Sequence, residues 1–381
     1  MKKIPKTRIR KIRTWIPKAK AGRLLENIND KQFSSLLDLA SNDYLGLSQH
    51  PNLIEAAKET MIAEGLGAGG SRLVTGSRPI HQALEKELSQ WLNFESVLLF
   101  PSGFQANLAA VTTLANRKTP VIADKLIHHS LLVGIKASGA KLKRFSHNDI
   151  NDLEKLIKIS LKESPTQTPL VITESVFSME GSSPDLEKIG ELCNNYHAML
   201  LVDEAHSLGV MGDQGRGLCY GLKNPVTMIS GTFGKAFGGG GAFLATSDFY
   251  GEHIVQTSGA FRYTTALAPP LAAAALEALK LIKDNPGWGL ALQKKSSLWR
   301  STLIEHGWNV RIGNSPIIPL VLGSDEESLK KQTELEANGI LTVAIRPPTV
   351  PEGTSRLRIV VRNNLPGEVL EQLLFYLGKK V

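Results

Sequence analysis

The chain has 381 residues, 42% of them hydrophobic, enough for a large core and for two or more domains. No run of 18 apolar residues occurs, so no transmembrane helix is expected. The two cysteines, Cys193 and Cys219, form no CxxC pair, which argues against a disulfide scaffold or zinc ribbon and fits a reducing cytoplasm. The net charge of +8 is local: residues 1–20 carry nine Lys or Arg and no Asp or Glu, leaving 35 basic and 36 acidic side chains elsewhere. Such an arm can steer an anionic substrate or a nucleic acid, or it can be a solvated terminus. It has neither the apolar core of a signal peptide nor the serines of a transit peptide, so a cytoplasmic protein is expected. The near-neutral remainder, with no aromatic-rich basic face, argues against a nucleic-acid partner.

In chain order, the helical pattern NLIEAAKETMIAE (52–64) runs into GLGAGG (65–70), a literal GxGxxG. A dinucleotide fingerprint follows a strand and opens a helix. This one follows a helix and leads into SRLVTGS, so a nucleotide reading is rejected; there is also no P-loop. A helical pattern over 77–92 precedes an apolar strand at 97–100. Pro101, Ser102 and Gly103 then turn into a helix whose free N–H groups suit a phosphate, although Ser102 reads equally as a plain N-cap. His128 and His129 lie near a strand end, where an imidazole can stack on an aromatic cofactor or be ordinary surface.

Continuous apolar runs at 169–175, 198–205, 226–231 and 241–246 read as strands buried on both faces. Between the first two lies PDLEKIGELCNNYHAM (184–199), a helix with Pro184 at its start. Alternating strand and helix imply an α/β domain with a mostly parallel sheet. The strand over 198–205 ends in Asp203 and Glu204, with His206 next, where open α/β sheets place their ligands. Asp203 opposite a pyridinium nitrogen would keep it protonated; the alternatives are a helix N-cap for Asp203 and a core histidine for His206. A metal site of Asp203, Glu204 and His206 is disfavoured because no second His cluster completes it. Lys235 sits in SGTFGKAFGGGGAFLAT (230–246) among six glycines, with no acid within ten residues. Its amine is expected to be desolvated and nucleophilic, the alternative being an exposed lysine on a Gly-rich loop. Residues 266–284 read as one long helix, and IIPLVLG, TVAIRP and RLRIVV as strands of a smaller domain. The expected division is an N-terminal arm and small segment (1–48), a large domain (49–284) and a C-terminal α+β domain (285–381).

The order of phosphate turn, histidine, strand-end acid and lysine fits an aspartate-aminotransferase-like fold that binds pyridoxal 5'-phosphate (PLP). SNDYLGL (41–47), GGSRLVTG (69–76), ESVFSMEG (174–181), VDEAHSLG (202–209), GTFGKAFG (231–238), YTTALAPP (263–270) and IRPPTVPEGTSRLRI (345–359) resemble the α-oxoamine synthases over nearly the whole chain. The resemblance implies PLP-dependent transferase fold type I, with a mostly parallel seven-stranded sheet and a smaller C-terminal α+β domain. It also implies a homodimer with active sites at the subunit interface, joining an amino acid to an acyl thioester with loss of carbon dioxide. The nearest branch uses L-alanine and pimeloyl-CoA or pimeloyl-acyl carrier protein, in biotin biosynthesis. Another member, such as 2-amino-3-ketobutyrate CoA ligase, is the alternative; a non-catalytic partner subunit is disfavoured because Lys235 is present.

Carried over by motif, Lys235 would hold PLP as a Schiff base and Asp203 its ring nitrogen. His206 and Ser178 would bond near the ring hydroxyl, His128 would stack on the ring, and Glu174 would support them. Gly103 and Phe104 would give backbone N–H groups to the phosphate, joined by Thr232, with Thr264 and Thr265 reaching the neighbouring subunit's phosphate. Arg346 would clamp a substrate carboxylate, with Thr349 and Arg13 as further substrate contacts. No metal is implied.

Overall fold

The computed structural model describes residues 4–18, 22–29, 32–224 and 226–380; Lys2, Lys3 and Lys20 of the basic arm lie outside them. The chain opens with three antiparallel strands, β1 (Trp15–Lys18), β2 (Arg23–Asn29) and β3 (Gln32–Asp38), followed by helices α1 (Pro51–Glu64) and α2 (Pro79–Leu92). Strands and helices then alternate as β4 (Ser96–Phe100), α3 (Gly103–Leu114), β5 (Pro120–Asp124), α4 (His129–Ser138), β6 (Lys141–Phe145), α5 (Ile150–Glu163), β7 (Leu170–Glu174), α6 (Leu186–Asn195) and β8 (Met199–Asp203). The pair β9 (Met228–Thr232) and β10 (Ala242–Thr246) follows, then α7 (Asp248–Thr257), α8 (Gly259–Arg262) and α9 (Pro269–Asp284). The C-terminal elements are α10 (Gly287–Glu305), β11 (Ile317–Gly323), α11 (Asp325–Ala337), β12 (Ile340–Leu341), β13 (Val343–Ile345), β14 (Ser355–Val360) and α12 (Val369–Leu377).

These elements divide into two compact units. One comprises His50–Phe177 and Ser183–Gly287; the other comprises the N-terminal residues through Gln49, Ser178–Ser182 and Trp288–Val381.

In the first unit a seven-stranded sheet runs β4-β10-β9-β8-β7-β5-β6. Only β10 opposes its neighbours; it pairs antiparallel with both β4 and β9, and the pairs among β9, β8, β7, β5 and β6 are parallel. Every residue of β7 and of β10 is buried, as a sheet covered on both faces requires. Phe100, Ile172, Leu201 and Leu244 meet Ala106, Ala110 and Val111 of α3 in the main core. Each fully buried Leu, Ile or Phe contributes about 1.5–3 kcal/mol relative to exposure.

Local chemistry sets the helix ends. Pro79 occupies the first turn of α2, and His81 Nδ1 accepts the Arg78 N–H at 3.0 Å. Asn93 closes that helix in a left-handed conformation. Asp185, just after Pro184, caps α6 as the helix start expected there; its carboxylate accepts the Lys188 N–H at 3.2 Å, and the helix stops at Asn195, short of the expected Met199. The long helix expected from residue 266 starts at Pro269, because prolines at 269 and 270 can fill a first turn but not an interior. GLGAGG follows directly on α1, with Gly65 closing that helix, so a helix and not a strand leads into it.

In the second unit β12 adds in parallel to β3, and β11, β14 and β13 form a separate antiparallel sheet. A buried ion pair, Arg362 to Asp38 at 2.9 Å, joins the segment after β14 to the end of β3. Among the described residues no helix is long and apolar enough to cross a membrane.

Candidate active site

The carboxyl ends of three neighbouring parallel strands meet in register: Glu174 of β7 pairs with Asp203 of β8, and Asp203 with Ser230 of β9. All three residues are buried. The Asp203 carboxylate is held at both oxygens, Oδ1 accepting the Ala205 N–H at 2.9 Å and Oδ2 accepting Asn107 Nδ2 at 2.7 Å. His206 is buried three residues further on.

Glu204 turns elsewhere. Its carboxylate accepts the N–H groups of Leu218 at 3.0 Å and Cys219 at 2.7 Å, and the Ser207 hydroxyl. Burial pushes its pKa up, and burial together with Glu204 pushes the Cys219 thiol up. Adjacent acids therefore have separate tasks: Asp203 faces the strand ends and Glu204 ties down a loop. Among the described residues no three His, Cys, Asp or Glu side chains converge as metal ligands would.

The turn after β4 places the start of α3 beside the end of β9. Ser102 is the N-cap of α3, its hydroxyl accepting the Gln105 N–H at 3.3 Å. The first-turn N–H groups of Gly103 and Phe104 have no carbonyl four residues behind them within the helix, so this end can receive an anion. The Phe104 side chain is exposed. A β-carbon on Gly103 would lie 3.9 Å from Thr232 Oγ1. Thr232 Oγ1 donates to Gly241 O at 3.0 Å and accepts the Gly234 N–H at 3.2 Å. Gln105 Nε2 donates to Thr264 Oγ1 at 3.0 Å, tying Thr264 to the same turn of its own chain, while Thr265 is exposed.

His128 caps α4, with Nδ1 2.7 Å from Ser130 Oγ and 3.3 Å from the Ser130 N–H. His129 is the first residue of that helix and is exposed. His128 is itself exposed, although the partial desolvation of its ring disfavours the charged form. That desolvation pulls its pKa below the usual imidazole value; the pull of Asp203 opposes this and the like charge of Lys235 adds to it.

Lys235 lies on the loop joining β9 to β10, and it is half-buried rather than enclosed. Buried Phe233 and Phe237 anchor the loop, their ring centroids 5.5 Å apart, and Phe237 also meets Trp91 at 6.2 Å. The loop closes through Phe233 N–H to Gly241 O at 2.9 Å and Gly239 N–H to Phe233 O at 2.8 Å. Two glycines of this motif serve packing rather than approach to a ligand. A β-carbon on Gly231 would meet the Phe243 ring at 2.4 Å; Gly241 has φ +101°, with the Leu267 side chain 2.7 Å from where a β-carbon would stand.

Ser178, Arg13, Arg346 and Thr349 belong to the other unit. The Ser178 carbonyl accepts Arg358 Nε at 2.7 Å. Arg13, Arg346 and Thr349 line one cavity of about 730 Å³, together with Arg10, Trp15 and Gln332. Arg13 pairs with Glu336 at 2.8 Å and lies 4.6 Å over the Trp15 ring; Arg10 Nη2 reaches Thr349 Oγ1 at 3.2 Å. Arg346 donates to Thr7 O and is buried, and its pKa is lowered by burial and by Arg10, against Asp325. Its Nε has no acceptor among the described residues.

The first unit therefore brings together a buried carboxylate hydrogen-bonded at both oxygens, an imidazole, a half-buried lysine and a helix start beside a threonine. That donor set fits a flat, phosphate-bearing pyridine cofactor. Asn107 and Ser130, which sequence reading passed over, join two of its members; the only prior signal was one asparagine in an otherwise small and apolar helix face.

Comparison with known proteins agrees with this geometry. Residues 34–377 match the family model "Aminotransferase class I and II". The 8-amino-7-oxononanoate synthase of Methylobacillus flagellatus is 39% identical over 341 residues, 89% of this chain and 85% of its own length. A Francisella tularensis 8-amino-7-oxononanoate synthase structure superposes with a TM-score of 0.77 at 30% identity, covering 90% of this chain and 96% of that one. Serine palmitoyltransferase from S. paucimobilis, with a bound PLP–myriocin aldimine, superposes at 0.89 with 25% identity, covering 95% of this chain and 91% of that one. The chain belongs to the aminotransferase class I and II family, among its α-oxoamine synthases.

Proposed function

We propose that this chain joins L-alanine to a pimeloyl thioester, carried on CoA or acyl carrier protein, giving 8-amino-7-oxononanoate, carbon dioxide and the free thiol, a step of biotin biosynthesis. The name and identity of the Methylobacillus relative support this choice of substrates over the serine used by the more distant palmitoyltransferase. The observation that carries the reading is the buried Asp203 carboxylate, held by Asn107 at 2.7 Å and Ala205 at 2.9 Å at the end of β8.

When bound, PLP supplies an electron sink for the α-carbon of the amino acid. Asp203 holds a proton on the ring nitrogen by charge. Lys235 would hold the cofactor, and its amine would serve as the general base for the α-proton of alanine. The N–H groups of Gly103 and Phe104, with Thr232, grip the phosphate, and we assign Thr264 and Thr265 to the phosphate of the neighbouring subunit. His128 would cover one ring face, His206 and Ser178 would bond near the ring hydroxyl, and buried Glu174 would support them. Arg346 grips the alanine carboxylate until it leaves as carbon dioxide, with a planar fork that lysine cannot copy. Thr349 and Arg13 contact the acyl donor, and the basic arm steers that donor's phosphates or acidic carrier. The assembly is a cytoplasmic homodimer with its active sites at the subunit interface.

The test is a mass-spectrometric product assay with alanine, glycine and serine, each crossed with both pimeloyl thioesters. The expected outcome is the alanine product, with one carbon dioxide released per thiol. A product only with glycine or serine, or no thiol release, contradicts the reading.

A further inference from the structure

Asn107 sits on the inward face of α3, 3% exposed, among Ala106, Ala110, Val111 and Leu114. Its amide nitrogen has two protons and two acceptors, Asp203 Oδ2 at 2.7 Å and Ser130 Oγ at 2.9 Å. Turning the amide over would set its oxygen against an acceptor oxygen of Asp203, so the Asp203 carboxylate fixes which way Asn107 points. Ser130, fully buried, thereby receives one hydrogen bond at its oxygen. Its own proton then goes to the remaining partner, His128 Nδ1 at 2.7 Å. The Ser130 N–H points at the same nitrogen from 3.3 Å. A ring nitrogen that accepts two donors carries a lone pair, so the proton of the neutral imidazole resides on Nε2. The arrangement leaves Asn107 Oδ1 buried with no donor among the described residues. A helix face selected for packing alone would carry leucine there and avoid that unmet group.

We propose that Asn107 and Ser130 are positioning residues of the cofactor site: Asn107 fixes the Asp203 carboxylate, and through Ser130 it holds His128 as the neutral Nε2–H tautomer. The inference rests on the reading above, in which Asp203 and His128 face the cofactor ring. A neutral ring of fixed tautomer offers its face to the cofactor without adding a positive charge beside the protonated ring nitrogen. The depressed pKa of His128 is in keeping with this. One asparagine thus coordinates the groups that meet the edge and the face of the cofactor.

The test uses the full chain loaded with PLP and labelled with nitrogen-15 in its histidine rings, His128 being identified by the signal lost in His128→Gln. Wild-type protein is expected to show a pyridine-like Nδ1 and a pyrrole-like Nε2 at His128. In Ser130→Ala the two shifts should move toward each other, and Ser130→Thr should restore them. Asn107→Ala should raise the PLP dissociation constant roughly tenfold or more, the loss expected for one hydrogen bond to a charged group. Unchanged His128 shifts in Ser130→Ala overturn the relay, and an unchanged PLP dissociation constant in a folded Asn107→Ala overturns the role of the asparagine. Should Asn107→Ala not fold, the Ser130 pair decides. Neither readout needs product, so failure of the proposed reaction shows separately in the product assay; a wild-type chain that takes up no PLP refutes that reading, while its histidine signals still report the relay.

Discussion

Gly103 and Thr232 stand side by side, with the position of a β-carbon on Gly103 3.9 Å from Thr232 Oγ1. This is where the start of α3 meets the end of β9, and it joins the N–H groups of a helix terminus to a hydroxyl. Thr232 donates its one proton to Gly241 O at 3.0 Å, so serving a phosphate requires that the hydroxyl turn from the loop to the anion. Thr232→Val should therefore raise the PLP dissociation constant on the order of tenfold, the weight of one charge-assisted hydrogen bond, while Thr232→Ser stays near wild type. Titration of the visible cofactor band measures both; equal affinity for the valine variant refutes the assignment.

Asp203→Asn should keep PLP but lose turnover by roughly 100- to 1000-fold, as when one preorganised electrostatic stabiliser is removed. Asparagine can still accept the Ala205 N–H, but it cannot hold a ring proton by charge. Exchange of the alanine α-proton in heavy water, followed by NMR, isolates the step. Exchange at the wild-type rate would count against Asp203.

Arg346→Lys should raise the KM for alanine about tenfold or more, since a point charge replaces a planar fork. The KM for the thioester should change little. Among the described residues Arg346 Nε has no acceptor, while Nη1 is engaged by Thr7 O. Steady-state kinetics in both substrates decides, and a rise confined to the thioester would reassign Arg346.

Much of this architecture could be read before any coordinates. The strands β7, β8, β9 and β10 are continuous apolar runs, and motif order placed Asp203 and Lys235 at strand end and loop. Most of the strands that escaped notice lack that signature, although β5 carries a short one in Val121, Ile122 and Ala123. β6 is KLKRF, a sheet-edge strand with one buried residue in five, and β1 to β3 mix charge with apolar residues. Within the candidate site, composition could not reveal Asn107 or Ser130. Their importance lies in which side chains α3, α4 and β8 bring within 3 Å, and no local pattern encodes that. Likewise, of the six glycines around Lys235, Gly231 and Gly241 are dictated by Phe243 and Leu267 packed against them, which no local pattern shows.

Acid should weaken the fold partly through His81. Its ring is fully buried, with Nδ1 accepting the Arg78 N–H at 3.0 Å and Nε2 placed 2.7 Å from Leu267 O. Burial lowers its folded pKa below the unfolded value of about 6.5. The unfolded chain then binds the proton first, so this contribution is complete above that pH and declines as pH falls through it. Urea denaturation at pH 7.5 and 5.5 should show a steeper loss on acidification for the wild type than for His81→Phe, although the variant is weaker at both. Equal slopes would contradict the assignment.

The central claim is that Lys235 carries the cofactor, on the loop between β9 and β10 and within electrostatic reach of His128. Borohydride reduction of the PLP-loaded protein, followed by peptide mass mapping, tests it most directly. The account predicts a single reduced phosphopyridoxyl group on the peptide containing Lys235, and none in Lys235→Ala. A reduced adduct on another lysine, with Lys235 unmodified, would contradict it.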